Sequence, residues 1–286
     1  MAKNNAVILE LKNSQASNTI LTGMLSGVER IRMDLIVATV NYRGLCVTIP
    51  LNEMMIELKR PAGQSDEIYN ERSIRILNKM LGADIDFIVC GIDQEEKAVV
   101  GSRQMAMLQK RRLNFLIDDP QIYAGCVVEA RIVAVSQLSV RVDVCGVETT
   151  IRAHQLSWGF LEDARDVYSI GDFIQVEVIR VTGKKAEELN VTADVRSLLS
   201  NTNRDNLEDL KLQSNYIGTI SGTKNKAMFV DLVNGAHGIA HKCYYHRKPQ
   251  KGDKVVFIPT RKDLKSGVAI GLISRIINKK QHGLKG

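Results

Sequence analysis

No uninterrupted apolar run of about 18 residues occurs in this 286-residue chain, so a membrane-spanning helix is not expected. The opening stretch MAKNNAVILELKN is apolar only briefly, because Glu10 and Lys12 break it, and it lacks the long apolar core of a secretory signal. A cytoplasmic location is therefore expected. The cysteines are five, Cys46, Cys90, Cys126, Cys145 and Cys243, and no two have CxxC spacing. The odd number and wide spacing argue against a disulfide framework and a zinc ribbon, leaving reduced, mostly buried thiols as the expectation. Catalytic and cofactor signatures are missing as well: the sequence has no GxGxxG, no GxxxxGKS, no GxSxG and no HExxH. The run GTKNK at 222–226 lacks the glycine spacing of a phosphate loop. Neither enzymatic activity nor a cofactor is expected.

Glutamate is absent from one whole region. Residues 215–286 hold 11 Lys, 3 Arg, 3 Asp and no Glu, a net +11, so the other 214 residues carry −4 of the chain's +7. A positive field concentrated in the last quarter favours a polyanionic partner there. No basic amphipathic helix accompanies it, which counts against a membrane surface as that partner.

What is present is a repeated phrase. GADIDFIVCGIDQEEKAVVGSR (82–103), GDFIQVEVIRVTGKKAEELNVTADVR (171–196) and GDKVVFIPTRKDLKSGVAIGLISRI (252–276) each open on glycine and read as an apolar run, a polar turn and a second apolar run. This is β-hairpin patterning. The opening glycines lie 89 and 81 residues apart, a spacing that predicts three copies of one small domain. Upstream of each hairpin the pattern predicts three more strands: 126–135, 138–144 and 147–152 in the second copy, and 216–222, 226–232 and 237–241 in the third. Residues 21–54 give the same three in the first copy, with an insertion at about 56–80. Helix signal is sparse: it is clearest over 66–80, with apolar positions at Ile68, Ile74 and Leu77 and acids in the first turn, and a second stretch is 101–116. Five antiparallel strands of this length close into a small barrel without exposed edges, so the expected architecture is mostly β, three tandem five-stranded OB-fold barrels with short connecting helices. The expected division is 1–117, 121–199, a polar linker at 200–214, and the basic repeat 215–286.

The residues in these repeats resemble a known family. Repeat three carries Gly218, Phe229, Val230, Asp231, Leu232, Gly238, Ile239, His241, Gly252 and Asp253 in the order of the RNA-binding repeat of bacterial small-subunit ribosomal protein S-one. Repeat two carries Gly125, Val142, Asp143, Val144, Leu156, Ser157, Tyr168, Ile170, Gly171 and Asp172. Repeat one is similar mainly in its closing hairpin and the GSR at 101–103. The resemblance implies a platform of strand aromatics and a histidine on which single-stranded bases stack, with cations at the phosphates. In repeat three it points to Phe229 and His241 as stacking residues, with Tyr244 beside them. Lys224, Lys226, Lys242, Arg247 and Lys248 would neutralise phosphates. Lys226 stands where the family has its first aromatic. In repeat two, Leu138 and Arg141 replace the aromatics and Arg152 replaces the histidine; arginine can still stack on a base and bridge a phosphate.

On the alternation of strand 226–232, Met228, Val230 and Leu232 form the core face and Phe229 the outer face. His237, His241, Cys243 and His246 are dense enough to raise a zinc site, but a short strand separates them poorly for four tetrahedral ligands, and no metal is expected. The leading expectation is non-enzymatic single-stranded RNA binding. The alternatives are an adaptor docked on the ribosome or another protein assembly, and single-stranded DNA binding, which the sequence does not separate from RNA binding.

Overall fold

The structure is a computed structural model that describes residues 2–32, 35–56, 58, 61, 63–93, 98–199, 202–264 and 266–278. The expected polar turn of the first closing hairpin, 94–97, lies outside the described residues. So do parts of the expected insertion and linker, at residues 57, 59, 60, 62, 200 and 201.

Three five-stranded sheets follow one another along the chain. The first barrel is built from β1 (Leu21–Arg30), β2 (Ile36–Tyr42), β3 (Leu45–Pro50), β4 (Asp84–Asp93) and β5 (Ala98–Ser102), in the closed order β1-β2-β3-β5-β4. α1 (Ala2–Ser17) precedes it, α2 (Asp66–Asn78) lies between β3 and β4, and α3 (Arg103–Phe115) follows it. The second sheet consists of β6 (Val127–Ser136), β7 (Ser139–Val144), β8 (Val147–Arg152), β9 (Phe173–Thr182) and β10 (Asn190–Asp194), with the short α4 (Ala153–Leu156) after β8. Its order, β10-β9-β6-β7-β8, is open at both ends. The last barrel follows α5 (Thr202–Asp209) and comprises β11 (Tyr216–Lys224), β12 (Ala227–Leu232), β13 (His237–Cys243), β14 (Lys254–Asp263) and β15 (Val268–Asn278). It closes as β11-β12-β13-β15-β14, the topology of the first barrel.

The mostly-β reading and the OB-type repeat hold, with two differences. Closure is not wholly antiparallel: β3 pairs with β5, and β13 with β15, in parallel. The second repeat has the same cyclic strand order as the closed barrels, but among the described residues no pairing between β8 and β10 completes the ring, so its barrel is nearly closed. Both closed barrels centre on a phenylalanine in equivalent register. Phe87 faces Leu21 across the β1–β4 pair and Phe257 faces Tyr216 across β11–β14, and both are fully buried. In the last barrel the Phe257 ring fits because Gly238 and Gly271 lack side chains; a Cβ on either would lie 2.8 or 2.7 Å from it. Alternation in β12 buries Met228, Val230 and Leu232, as their spacing predicts.

Two helices lie outside the stretches where helix is expected, and both are packed. α1 buries Val7 and Leu11 in the first barrel's core, and its buried Ser14 donates to the Thr19 carbonyl at 2.7 Å while accepting from Val89 N–H at 3.1 Å. α5 lies within the expected linker, and Leu207 and Leu210 join the last barrel's core. The cysteines also differ from expectation: Cys46 and Cys90 are exposed, and Cys126, Cys145 and Cys243 are half-buried.

The chain forms two compact units, and they cut across the expected boundaries. One holds residues 1–151 and 167–194; the other holds 152–166 and 195–286. Charge ties the first together. Arg103 at the start of α3 pairs with Glu148 of β8, both buried, and donates to the Met54 carbonyl at 3.0 Å. Arg111 donates to the carbonyls of Gly146 at 2.6 Å and Ala186 at 3.0 Å. Asp86 of β4 receives Lys110 at 2.5 Å and also Arg131 of β6. Asp143 of β7 stands 3.7 and 3.6 Å from the same two cations. Ionised groups this buried persist only when paired.

Candidate nucleic-acid interface

The second unit carries the surface of interest, and its local geometry begins at a turn. β11 and β12 are joined by Asn225 and Lys226, both with positive φ (49° and 68°). A two-residue turn with both central residues left-handed matches the right-handed twist of the strands it joins. It moves Lys226 out of the strand where sequence alternation places it, onto the hairpin tip. Across β12, Phe229 faces Ile239 and Met228 faces Ala240. The β13–β15 register then shifts between Ala240 and Lys242, so His241 is the extra residue of a bulge. Bulges re-aim side chains, and this one leaves His241 exposed.

These features enclose an open hollow of about 620 Å³, lined by Lys224, Lys226, His241, Lys248, Tyr245 and His246, with Met228 and Cys243 on its apolar side. Tyr245 and His246 lie ring to ring, centroids 4.1 Å apart. Three lysines, two imidazoles and a phenol around one concavity can hold phosphate oxygens and offer ring faces to a base. Four residues named from sequence thus converge: Lys224, Lys226, His241 and Lys248. Lys242 and Tyr244 are exposed but do not line the hollow, and Tyr244 presents 71% of its surface.

The remaining expected site residues are engaged elsewhere. Arg247 is half-buried and pairs at 2.6 Å with Asp253, itself buried and also accepting from Gln250 N–H at 2.9 Å; its guanidinium braces the loop before β14. Arg141 lies 3.5 Å from the buried Glu148. Arg152 caps α4, its backbone N–H donating to Gln155 Oε1 at 3.1 Å. His237, considered above as a metal ligand, pairs through Nδ1 with Asp231 Oδ1 at 2.9 Å.

Phe229 lies on the outer face of β12, as its alternation requires, yet its ring is not open. Phe160, from the segment after α4, stacks on it with centroids 3.8 Å apart and planes 5° from parallel. Gly222, paired with Phe229 across β11–β12, forms the rest of the floor: a Cβ there would lie 2.4 Å from the Phe160 ring. The segment is anchored at both ends. Trp158 Nε1 donates to the Leu199 carbonyl at 3.3 Å and Arg196 sits 4.5 Å over the indole. Glu162 and Asp166 meet Lys251 at 2.9 and 3.4 Å, and the Glu162 hydrogen bond raises the Lys251 pKa above its ordinary value. Phe160, Glu162 and Lys251 do not stand out in the sequence. The signal available is an aromatic two residues past the Leu-Ser-Trp of repeat two, which reads equally well as packing.

The S1 RNA binding domain profile matches residues 122–188, the second repeat. The chain is 21% identical over 171 residues to the small ribosomal subunit protein bS1 of Leuconostoc lactis, covering 60% of this chain and 39% of that protein. It is 25% identical over 204 residues to a 4-hydroxy-3-methylbut-2-enyl diphosphate reductase of Clostridium acetobutylicum, covering 70% of this chain and 29% of that protein. The chain thus spans well under half the length of either relative. A crystal structure of a multidomain protein with nucleic acid binding domains from Streptococcus pneumoniae aligns over 90% of this chain and 73% of that one, at 13% identity and a TM-score of 0.22. The strand order itself, not that superposition, carries the OB-type assignment. The chain is S1-like, with an S1 RNA-binding domain among tandem OB-type repeats, and the family matches support RNA binding.

Proposed function

We propose that this S1-like chain is a non-enzymatic, single-stranded RNA-binding protein of translation or RNA metabolism whose main contact surface is the last barrel. One observation carries the reading: Lys224, Lys226, Lys248 and His241 converge with Tyr245 and His246 on one hollow, in the part of the chain that holds the net +11. The lysines take phosphates, and the rings take bases by stacking, which any base permits. Binding then falls steeply with salt and shows little sequence preference.

The test is fluorescence anisotropy of a labelled, unstructured RNA across a salt series, with matching DNA as competitor. Alanine at Lys224, Lys226 and Lys248 together is expected to weaken binding and to flatten the salt slope by about two, since each phosphate of a single strand left unneutralised lowers it by roughly 0.7. An unchanged slope would remove the hollow from the interface.

A second reading, docking of the first two repeats on a ribosome or another assembly, draws on one fact. Repeat two carries the S1 match, yet its Arg141 is held by Glu148 and Leu138 stands at a platform position. Under that reading the wild-type protein does not bind unstructured RNA even at low salt, and a protein partner is recovered with residues 1–200.

A further inference from the structure

We infer that residues 157–166 act as an internal occupant of the last barrel's base-stacking position, so that RNA engaging Phe229 must first displace Phe160. The inference rests on the reading of the last barrel as an RNA-binding surface. Three observations carry it. The ring pair is parallel and at van der Waals distance, as a base would lie on Phe229. Gly222 leaves a recess beside Phe229 that the Phe160 ring fills. The segment also delivers carboxylates where a strand would deliver phosphates: Glu162 and Asp166 both hold Lys251, a cation of the basic barrel. One aromatic ring followed by anions on a short stretch of backbone has the recognition chemistry of a nucleotide. Phe160 therefore caps the stacking face while the lysine-lined hollow remains open.

Two variants remove the occupant by separate routes. Phe160→Ala deletes the ring. Gly222→Ala leaves both phenylalanines intact but places a methyl in the recess, where the three nearest atoms to that Cβ all belong to Phe160 or Glu162, at 2.4, 2.9 and 3.5 Å. Each is expected to tighten binding of an unstructured RNA roughly 5- to 150-fold, the worth of one stacked base. Adding Phe229→Ala to Phe160→Ala should abolish the gain. The chain's single tryptophan, Trp158, lies in the displaced segment, so saturating RNA should shift its emission in the wild-type protein.

If both variants, folded by circular dichroism, bind no more tightly than wild type while the lysine changes still weaken binding, the inference fails and the hollow stands. If neither the lysine changes nor the two variants alter RNA binding, both readings fail together. A gain that survives loss of Phe229 also overturns the inference, because the freed surface would then not be the stacking platform.

Discussion

Lys226 holds φ +68° at the second position of a hairpin turn where glycine costs least. A side chain kept in the left-handed region costs about 1 kcal/mol, and such strain concentrates where a side chain is needed. Here the side chain is a cation on the rim of the hollow. Lys226→Gly is expected to leave stability unchanged or raise it by up to about 1 kcal/mol in urea denaturation, since relief of strain opposes the added freedom of the unfolded chain. The same change should weaken RNA binding and lower the salt slope by about 0.7 in anisotropy. Stability and affinity would move apart, which a purely structural turn residue would not do. His241 makes a parallel case, an exposed imidazole turned outward by a bulge.

Among elements, the densest electrostatics join β4, α3, β6 and β7. Burial alone would raise the Asp86 pKa, but Lys110 and then Arg131 outweigh it and bring the carboxyl down to about 2. A carboxylate depressed in the folded state contributes stability above its unfolded value near 4, and that contribution is lost as pH falls from about 4 towards 2. Urea midpoints between pH 5 and pH 2 should therefore fall steeply in the wild type. Asp86→Asn should show a lower plateau and a flatter descent, and at pH 7 removal of one partner from so buried a cluster should cost about 3–5 kcal/mol. None of this is legible in the sequence: the residues are scattered from 86 to 143, and only folding brings them together. The strands are legible, because alternation such as Met228, Val230 and Leu232 is local and the glycine-led hairpins repeat. α1 and α5 are not, since among the described residues α1 gives the core Val7 and Leu11, and α5 gives Leu207, joined by Leu210 just past its end, in a polar context. In the site, the lysines and His241 are readable from cations interleaved with aromatics. The commitment of Arg247 to Asp253 and the cover over Phe229 are not, because the folded loop decides the first and a partner distant in sequence the second.

At the scale of the whole chain, charge and packing are divided unequally. The last barrel has a core of its own, from Leu207 of α5 to Ile273 of β15, and it carries the positive field. A fragment of residues 195–286 keeps that core and the hollow but lacks Phe160, Glu162 and Asp166. Such a fragment is expected to bind unstructured RNA at least as tightly as the full chain, by anisotropy at matched salt. Weaker binding by a folded fragment would place part of the interface in the preceding repeats.

The parallel seams of the closed barrels have a consequence for how the chain reaches its folded state. β13 cannot complete its pairing with a neighbour made immediately after it; its partner β15 arrives only once β14 and the intervening loops have been made. The same holds for β3 and β5. Each closed barrel therefore has a high contact order, since its sealing pairs bridge long loops whose closure entropy must be met first. During synthesis β3 and β13 each keep a bare row of backbone donors and acceptors until the fifth strand of their barrel emerges, which makes the nascent chain most vulnerable to mispairing in those two intervals.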